Sequence, residues 1–253
     1  TKKSKSLFLI SYFLFLILTS VQWFPTLQFI LLSARNIDQV PWQNPGWFIP
    51  WQNLIQFIAP DFFGNPTTLN YWGIFNYGEF VGYLGIAPLI FAFFALFSRH
   101  DKKTLFFGSL FFVSLIFSLP TMFAKIPFIF NIPFLETTQP SRLIFILDFS
   151  LAVLASLGID FFIRQKYRRG ITYVLIFLTI TIFSLWIFVL YGNKLLNLVS
   201  LENTLVSKSN LILPSLIFIL LVVIIITFLI LKTNRKLLSI FIFLIFIVTV
   251  FDL

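Results

Sequence analysis

At 253 residues, with 59% apolar side chains and a mean hydropathy of +0.98, the chain is far more hydrophobic than an ordinary soluble domain, whose apolar share is about 45–50%, and it reads as a membrane protein. Its formal charge of +9 comes from Lys and Arg residues in small clusters between apolar runs, the pattern of membrane topology and not of a nucleic-acid partner. With no cysteine and a single histidine, His100, thiol catalysis, Cys/His metal sites and Ser-His triads are excluded within these residues; a divalent cation would need carboxylate oxygens, and no cofactor is expected.

Seven apolar runs are legible in chain order: Leu7 to Trp23, Phe80 to Phe97, Leu105 to Leu119, Leu143 to Ile163, Ile171 to Tyr191, Leu211 to Leu231 and Leu237 to Phe251. A helix crossing the roughly 30 Å hydrocarbon core needs about 20 residues, so the expected fold is all-α: a polytopic transmembrane bundle of about seven spans forming a single domain over residues 1–253. The chain opens on Thr1, has Met122 as its only methionine and stops at Leu253 directly after an apolar run, so it is expected to be a piece of a longer protein. Alternate connections carry 13 and 5 basic residues. The positive-inside bias then puts the start of the chain on the cytoplasmic side and its end outside.

Between the first two runs, residues 34–80 cannot lie in hydrocarbon. Pro41, Pro45, Pro50, Pro60 and Pro66 each lack an amide donor and push the preceding residue out of the helical region. The segment is expected to be a folded extracytoplasmic lid. Within it Trp51, Leu54, Ile55 and Ile58 recur at helical spacing opposite Gln52, Asn53 and Gln56, which predicts a short amphipathic helix that lies along a membrane surface or caps the bundle, with Pro50 suited to its first turn. A second outer connection, residues 120–141, holds Pro120, Pro127, Pro133 and Pro140 among apolar residues. It is too apolar for a solvated loop and too rich in proline for a helix, so an interfacial or re-entrant segment is expected. Inner connections are short and basic and read as topology anchors.

Candidate chemistry gathers at the outer face. Arg142 opens the fourth run, where its fixed fork of donors suits a lipid phosphate as well as it suits Glu136 or snorkelling to headgroups. Arg35, just outside the first run, offers the same alternatives. Asp148 lies about 9 Å deeper than Arg142 along the helix and is expected to make a structural contact, with Ala152, Ala155 and Ser156 giving a small-residue face for a neighbouring helix. Glu79, with Asn76, Tyr77 and Tyr83, sits where the lid meets the second run; it either caps that helix or meets a sugar beside an aromatic platform. Asp61, before Phe62, Phe63 and Gly64, is read as a turn residue or as part of a substrate site.

At Gln22-Trp23-Phe24-Pro25-Thr26-Leu27 and Ser33-Ala34-Arg35 the sequence resembles the YfhO-type family of bacterial multi-pass membrane proteins. The likeness continues through Pro60-Asp61-Phe62-Phe63-Gly64, Tyr71-Trp72-Gly73, Asn76-Tyr77-Gly78-Glu79, Tyr83-Leu84-Gly85 with Pro88-Leu89, Gln139-Pro140-Ser141-Arg142 and Leu157-Gly158-Ile159-Asp160. The resemblance implies a glycosyltransferase of the multi-pass C superfamily in the bacterial cytoplasmic membrane, moving a sugar from a polyprenyl-phosphate-linked donor to a cell-envelope polymer or lipid acceptor on the outer face. The catalytic carboxylate of that superfamily usually lies in a first outer loop that would precede Thr1, so no catalytic residue is carried onto this chain. Arg35 and Arg142 are the expected lipid-phosphate contacts and Asp61, Asn76, Tyr77, Glu79 and Tyr83 the expected substrate contacts, with the lid and the start of the fourth helix roofing an arginine-bearing pocket. A transporter or flippase for lipid-linked glycans and a noncatalytic membrane scaffold are the alternatives.

Overall fold

The computed structural model describes residues 2–32, 42–43, 46–132, 135, 138–164, 169–196, 199–231 and 235–253. Among them the regular structure is helical: α1 (Lys2–Leu32), α2 (Ile86–Ser98), α3 (Lys102–Ser118), α4 (Met122–Ile129), α5 (Ile144–Arg164), α6 (Arg169–Leu196), α7 (Leu201–Ile230) and α8 (Arg235–Asp252), with short 3₁₀ turns between α1 and α2 and before α5. The chain divides into two compact units, Thr1–Asn44 with Pro127–Thr138, and Pro45–Ile126 with Gln139–Leu253.

In the first unit α1 runs for 31 residues with Pro25 inside it. Thr19, Ser20 and Thr26 bond back to their own helix, at Phe15 O, Ile17 O and Gln22 O, which suits a segment surrounded by hydrocarbon. Trp42 packs on Phe128 with ring centroids 6.0 Å apart.

The second unit is built around α2. This helix has only 13 residues, yet Ile86, Ala87, Leu89, Ile90, Phe91, Ala92, Phe94 and Ala95 are all buried. It packs against α3, α5, α6, α7 and α8. The closest approach is to α5, where a Cβ added to Gly158 would stand 1.9 Å from the carbonyl oxygen of Phe91. The face of α5 that meets its neighbours is Leu147, Ser150, Leu151, Leu154, Ala155, Gly158 and Phe162. Ala152 and Ser156, expected in the crossing, are exposed, and Gly158 makes the approach instead. Phe162 joins Phe91, Phe94, Phe228 and Phe241 in an aromatic cluster with centroids 5.5–5.9 Å from its ring.

Among the described residues four stretches are long and apolar enough to span a membrane: Leu7–Phe29, Pro140–Arg164, Arg169–Asn193 and Leu201–Ile230; α3 and α4, bent by 62° at their break, make a fifth if taken together. The expected count of about seven is therefore not reproduced. The second run loses its first third because Phe80–Gly85 is not helical, leaving α2 at about 20 Å, shorter than the hydrocarbon core. Helix α8, which holds the last run, carries Arg235, Lys236 and Asp252 within its 18 residues. In the proline-rich segment 120–141, Met122–Ile129 is helical despite Pro127, which forgoes the bond its amide would have made to the carbonyl of Phe123.

At the end of the bundle holding the α2–α3 corner, Arg99 acts as a clasp. Its guanidinium meets Asp101 at 2.7 Å and Asp160 at 3.4 Å and donates to Leu157 O at 2.9 Å, while Asp160 also takes Arg164 at 2.6 Å. Asp101 caps α3 through Thr104 N, and that bond, followed by Arg99, holds its carboxyl down at about 2.

Candidate functional site

The chemistry-bearing residues lie in the segment leading into α2, and its local geometry differs from the amphipathic helix expected. Trp51–Phe57 is a 3₁₀ helix. With three residues per turn, Asn53 and Gln56 fall directly above one another. Both are fully buried, whereas Trp51 is exposed. Asn53 Nδ2 donates to Gln56 Oε1 at 2.6 Å, and Gln56 Nε2 donates to Pro60 O at 3.0 Å. Both amides therefore face inward, unlike the predicted orientation, while Ile58 is buried as expected; the bond between them and the bond to Pro60 O offset part of the desolvation cost, and Asn53 Oδ1 is left without a partner among the described residues.

Those amides brace the turn that follows. Gly64 N donates to Asp61 O at 2.8 Å, and Gly64 holds φ +82° where a Cβ would meet Asn70 O at 2.2 Å; only glycine fits. From α7, Asn210 Nδ2 donates to Asp61 O at 2.6 Å and the buried Ser207 Oγ to Phe62 O at 2.7 Å. With its backbone clamped, Asp61 presents a carboxylate whose Oδ1 accepts from Tyr77 OH at 2.5 Å and Asn65 Nδ2 at 3.0 Å. Tyr77 packs edge-on against Tyr71 at 5.6 Å. Burial first, and then the Asp61 carboxylate, hold the Tyr77 phenol well above its ordinary value, and burial raises Tyr71 as well. Asn65 and Asn70 staple the adjoining loop: Asn70 Oδ1 accepts from Asn65 N and from Thr68 Oγ1, and Asn65 Oδ1 accepts from Thr67 N.

The other expected site residues form two further polar links. Asn76 is exposed and caps the Tyr77–Glu79 turn through Gly78 N at 3.2 Å. The carboxylate of Glu79 accepts from Gln139 Nε2 at 2.5 Å, and the same nitrogen donates to Gly46 O at 3.1 Å. Ser141 N donates to Trp47 O at 3.3 Å, so the lid and the 3₁₀ turn that starts α5 do meet. Arg142, next in that turn, is exposed and its guanidinium forms no ion pair or hydrogen bond with the described residues. Arg35 and Glu136 lie outside the described residues.

Glu79 does not cap α2, which begins seven residues later. Asp252, at the last turn of α8, does so: its Oδ2 accepts from Ile86 N and its Oδ1 from Tyr83 OH, both at 2.6 Å. Burial and this carboxylate push the Tyr83 phenol up. Tyr83 is thus committed to a structural link, and Asp252 is the residue that sequence reasoning missed; a carboxylate ending an apolar helix was the available signal. Asp148 Oδ1 is buried without a hydrogen-bond partner among the described residues and lies 2.9 Å from where a Gly82 Cβ would be. A largely apolar cavity of about 320 Å³ lies between α2, α5 and α8, lined by Pro88, Ala155, Ile159, Ile245 and Thr249 among others.

No family model, curated protein or solved structure matches the chain. Among the described residues no three His, Cys, Asp or Glu side chains gather as metal ligands do. What the arrangement offers chemically is a positioned carboxylate flanked by phenols and amides, groups that bind hydroxyls in preference to anions.

Proposed function

We propose that this chain is the membrane portion of a glycosyltransferase that moves a sugar from a polyprenyl-phosphate-linked donor to a cell-envelope polymer or lipid, on the outer face of the bacterial cytoplasmic membrane, with the start of the chain on the cytoplasmic side. The observation that carries it is the Asp61 arrangement: Oδ1 is held by Tyr77 and Asn65 on a turn clamped from α7, and Oδ2 is left to accept from a sugar hydroxyl. Tyr71, Tyr77 and Trp72 supply faces against which a sugar ring packs, and the exposed Arg142 supplies donors for a lipid phosphate arriving from the bilayer. The motif order resembling the YfhO-type family supports the same reading.

A transporter or flippase for lipid-linked glycans is the second reading, favoured by two observations: the bent pair α3–α4 and the buried, unpartnered Asp148 oxygen within α5, since broken helices and intramembrane carboxylates line transport paths. Proteoliposomes containing the protein as its gene encodes it, supplied with a labelled polyprenyl-phosphate sugar and envelope acceptor, separate the two. Label transferred to the acceptor supports the transferase; label crossing the bilayer still on its lipid, without transfer, replaces it with the transporter.

A further inference from the structure

The loop that follows Asp61 ends in a feature that makes no sense in water. Leu69 is 93% exposed and sits at φ +55°, a left-handed conformation that penalises a branched apolar side chain and that its neighbour Asn70 would adopt more readily. Phe75 repeats the combination at φ +59° and 53% exposure, with Ile74 exposed beside it. Neither is a loose end. The Asn65 and Asn70 side chains lock the loop from within, and the Phe75 ring lies where a Cβ on Gly46 would be. The fold holds apolar tips outward at a cost in strain, which points to something that covers them.

Helix α7 identifies the cover. From Leu211 to Ile230 it is apolar except for Ser215 and Thr227, a run of about 20 residues and about 30 Å that matches the hydrocarbon thickness. Before Leu211 the helix reads LENTLVSKSN, polar and too long to be buried in lipid as well. Asn210 and Leu211 therefore mark the hydrocarbon boundary. Asn210 and Ser207, one helical turn ending at that boundary, are the residues that grip the carbonyls of Asp61 and Phe62. The root of the loop is thereby fixed at headgroup level.

We propose that the Asn65–Asn70 tip, led by Leu69, inserts together with Phe75 into the headgroup–acyl boundary of the bilayer and so holds the Asp61 cluster at the height of the lipid phosphates. This goes beyond the sugar-transfer reading and stands whichever reaction the cluster serves.

The chain has no cysteine, so single variants Leu69→Cys, Glu202→Cys and Leu216→Cys, all at exposed positions, take a nitrobenzoxadiazole label at one place each. In nanodiscs, whose two faces are both open, dithionite reduces an aqueous label quickly and a lipid-covered one slowly. The label at Leu69 is expected to react several-fold more slowly than that at Glu202 and to approach the rate at Leu216. Reaction as fast as at Glu202 overturns the proposal. Protection present with two copies per disc and lost with one assigns the tip to a second copy of the chain and overturns it equally. A Leu69→Asn variant, free of the left-handed penalty, checks the cover from the other side: it should fold at least as well as the native chain, and a label at Thr67 should then react faster than in the native loop.

Discussion

Replacing Gly158 with Ala tests the packing on which every other feature rests. The added methyl carbon would stand 1.9 Å from Phe91 O, 2.7 Å from its carbonyl carbon and 3.3 Å from its Cα. All three are backbone atoms, so no rotamer change relieves the clash. Ordinary contact requires α2 and α5 to separate by about 1.5 Å, and that movement also loosens Phe162 from Phe91 and Phe94. Overpacking of this kind costs about 1–3 kcal/mol, or about 2–12 °C in midpoint at the 2–4 °C per kcal/mol typical of soluble domains of this length. Gly192→Ala is the paired control: its nearest neighbour would be the Phe188 ring at an ordinary 3.5 Å, and the helix propensity of Ala favours the change by up to about 1 kcal/mol. Melting of the detergent-solubilised variants, followed by the fraction surviving gel filtration, should show Gly158→Ala well below the native midpoint and Gly192→Ala at or above it. Equal midpoints for Gly158→Ala and the native chain would refute the close α2–α5 crossing.

The Asp252 link should behave as a coupled pair. Asp252→Ala removes the α2 cap, worth about 1 kcal/mol, and strands the Tyr83 hydroxyl for about 1–3 kcal/mol more, while Tyr83→Phe costs less; in a thermal double-mutant cycle the two losses should fall short of adding, and strict additivity would dissolve the link. Tyr77 carries a pH signature. Its phenol is raised in the folded state, so its contribution is complete below the ordinary phenol value of about 10 and is lost as pH rises beyond it. Difference absorbance at alkaline pH should show Tyr77→Phe missing a late-titrating phenol, whereas loss of a phenol titrating near 10 would mean Tyr77 is not held against Asp61.

Much of the fold was legible because hydrophobicity speaks directly: most of each apolar run became helix, the described residues between 42 and 80 stayed out of the long spans, and the lid does touch the turn before α5. Fewer candidate spans than the expected seven emerge among the described residues, in part because Phe80–Gly85 is apolar without being helical; Gly82 packs against Phe57 and Asp148, and Gly85 turns at φ +90°, contacts that composition does not report. At Trp51–Phe57 the grouping of Asn53 with Gln56 was legible, since residues three apart are neighbours at either period, but which side faces inward was not, because the bond from Gln56 to Pro60 O that draws the amides in leaves no mark on the spacing. Asp61 and Tyr77, 16 residues apart, were both named as candidates, but nothing local tied them together. Tyr83 and Asp252, separated by 169 residues, illustrate the limit more sharply, because a long-range cap leaves no mark on its own neighbourhood.

In the proposed transferase the Asp61 carboxylate, steadied by Tyr77 and Asn65, serves the sugar-transfer site. The direct measurement is turnover of labelled polyprenyl-phosphate sugar by the gene's full product, native against Asp61→Asn, with Asp252→Asn as a variant altered at a structural carboxylate and all rates normalised to protein surviving gel filtration. A hydrogen-bonded charged group is worth about 1.5–3 kcal/mol, so Asp61→Asn should lower turnover by about 10- to 150-fold while Asp252→Asn, once folded, turns over at close to the native rate. Native turnover by folded Asp61→Asn would contradict the account.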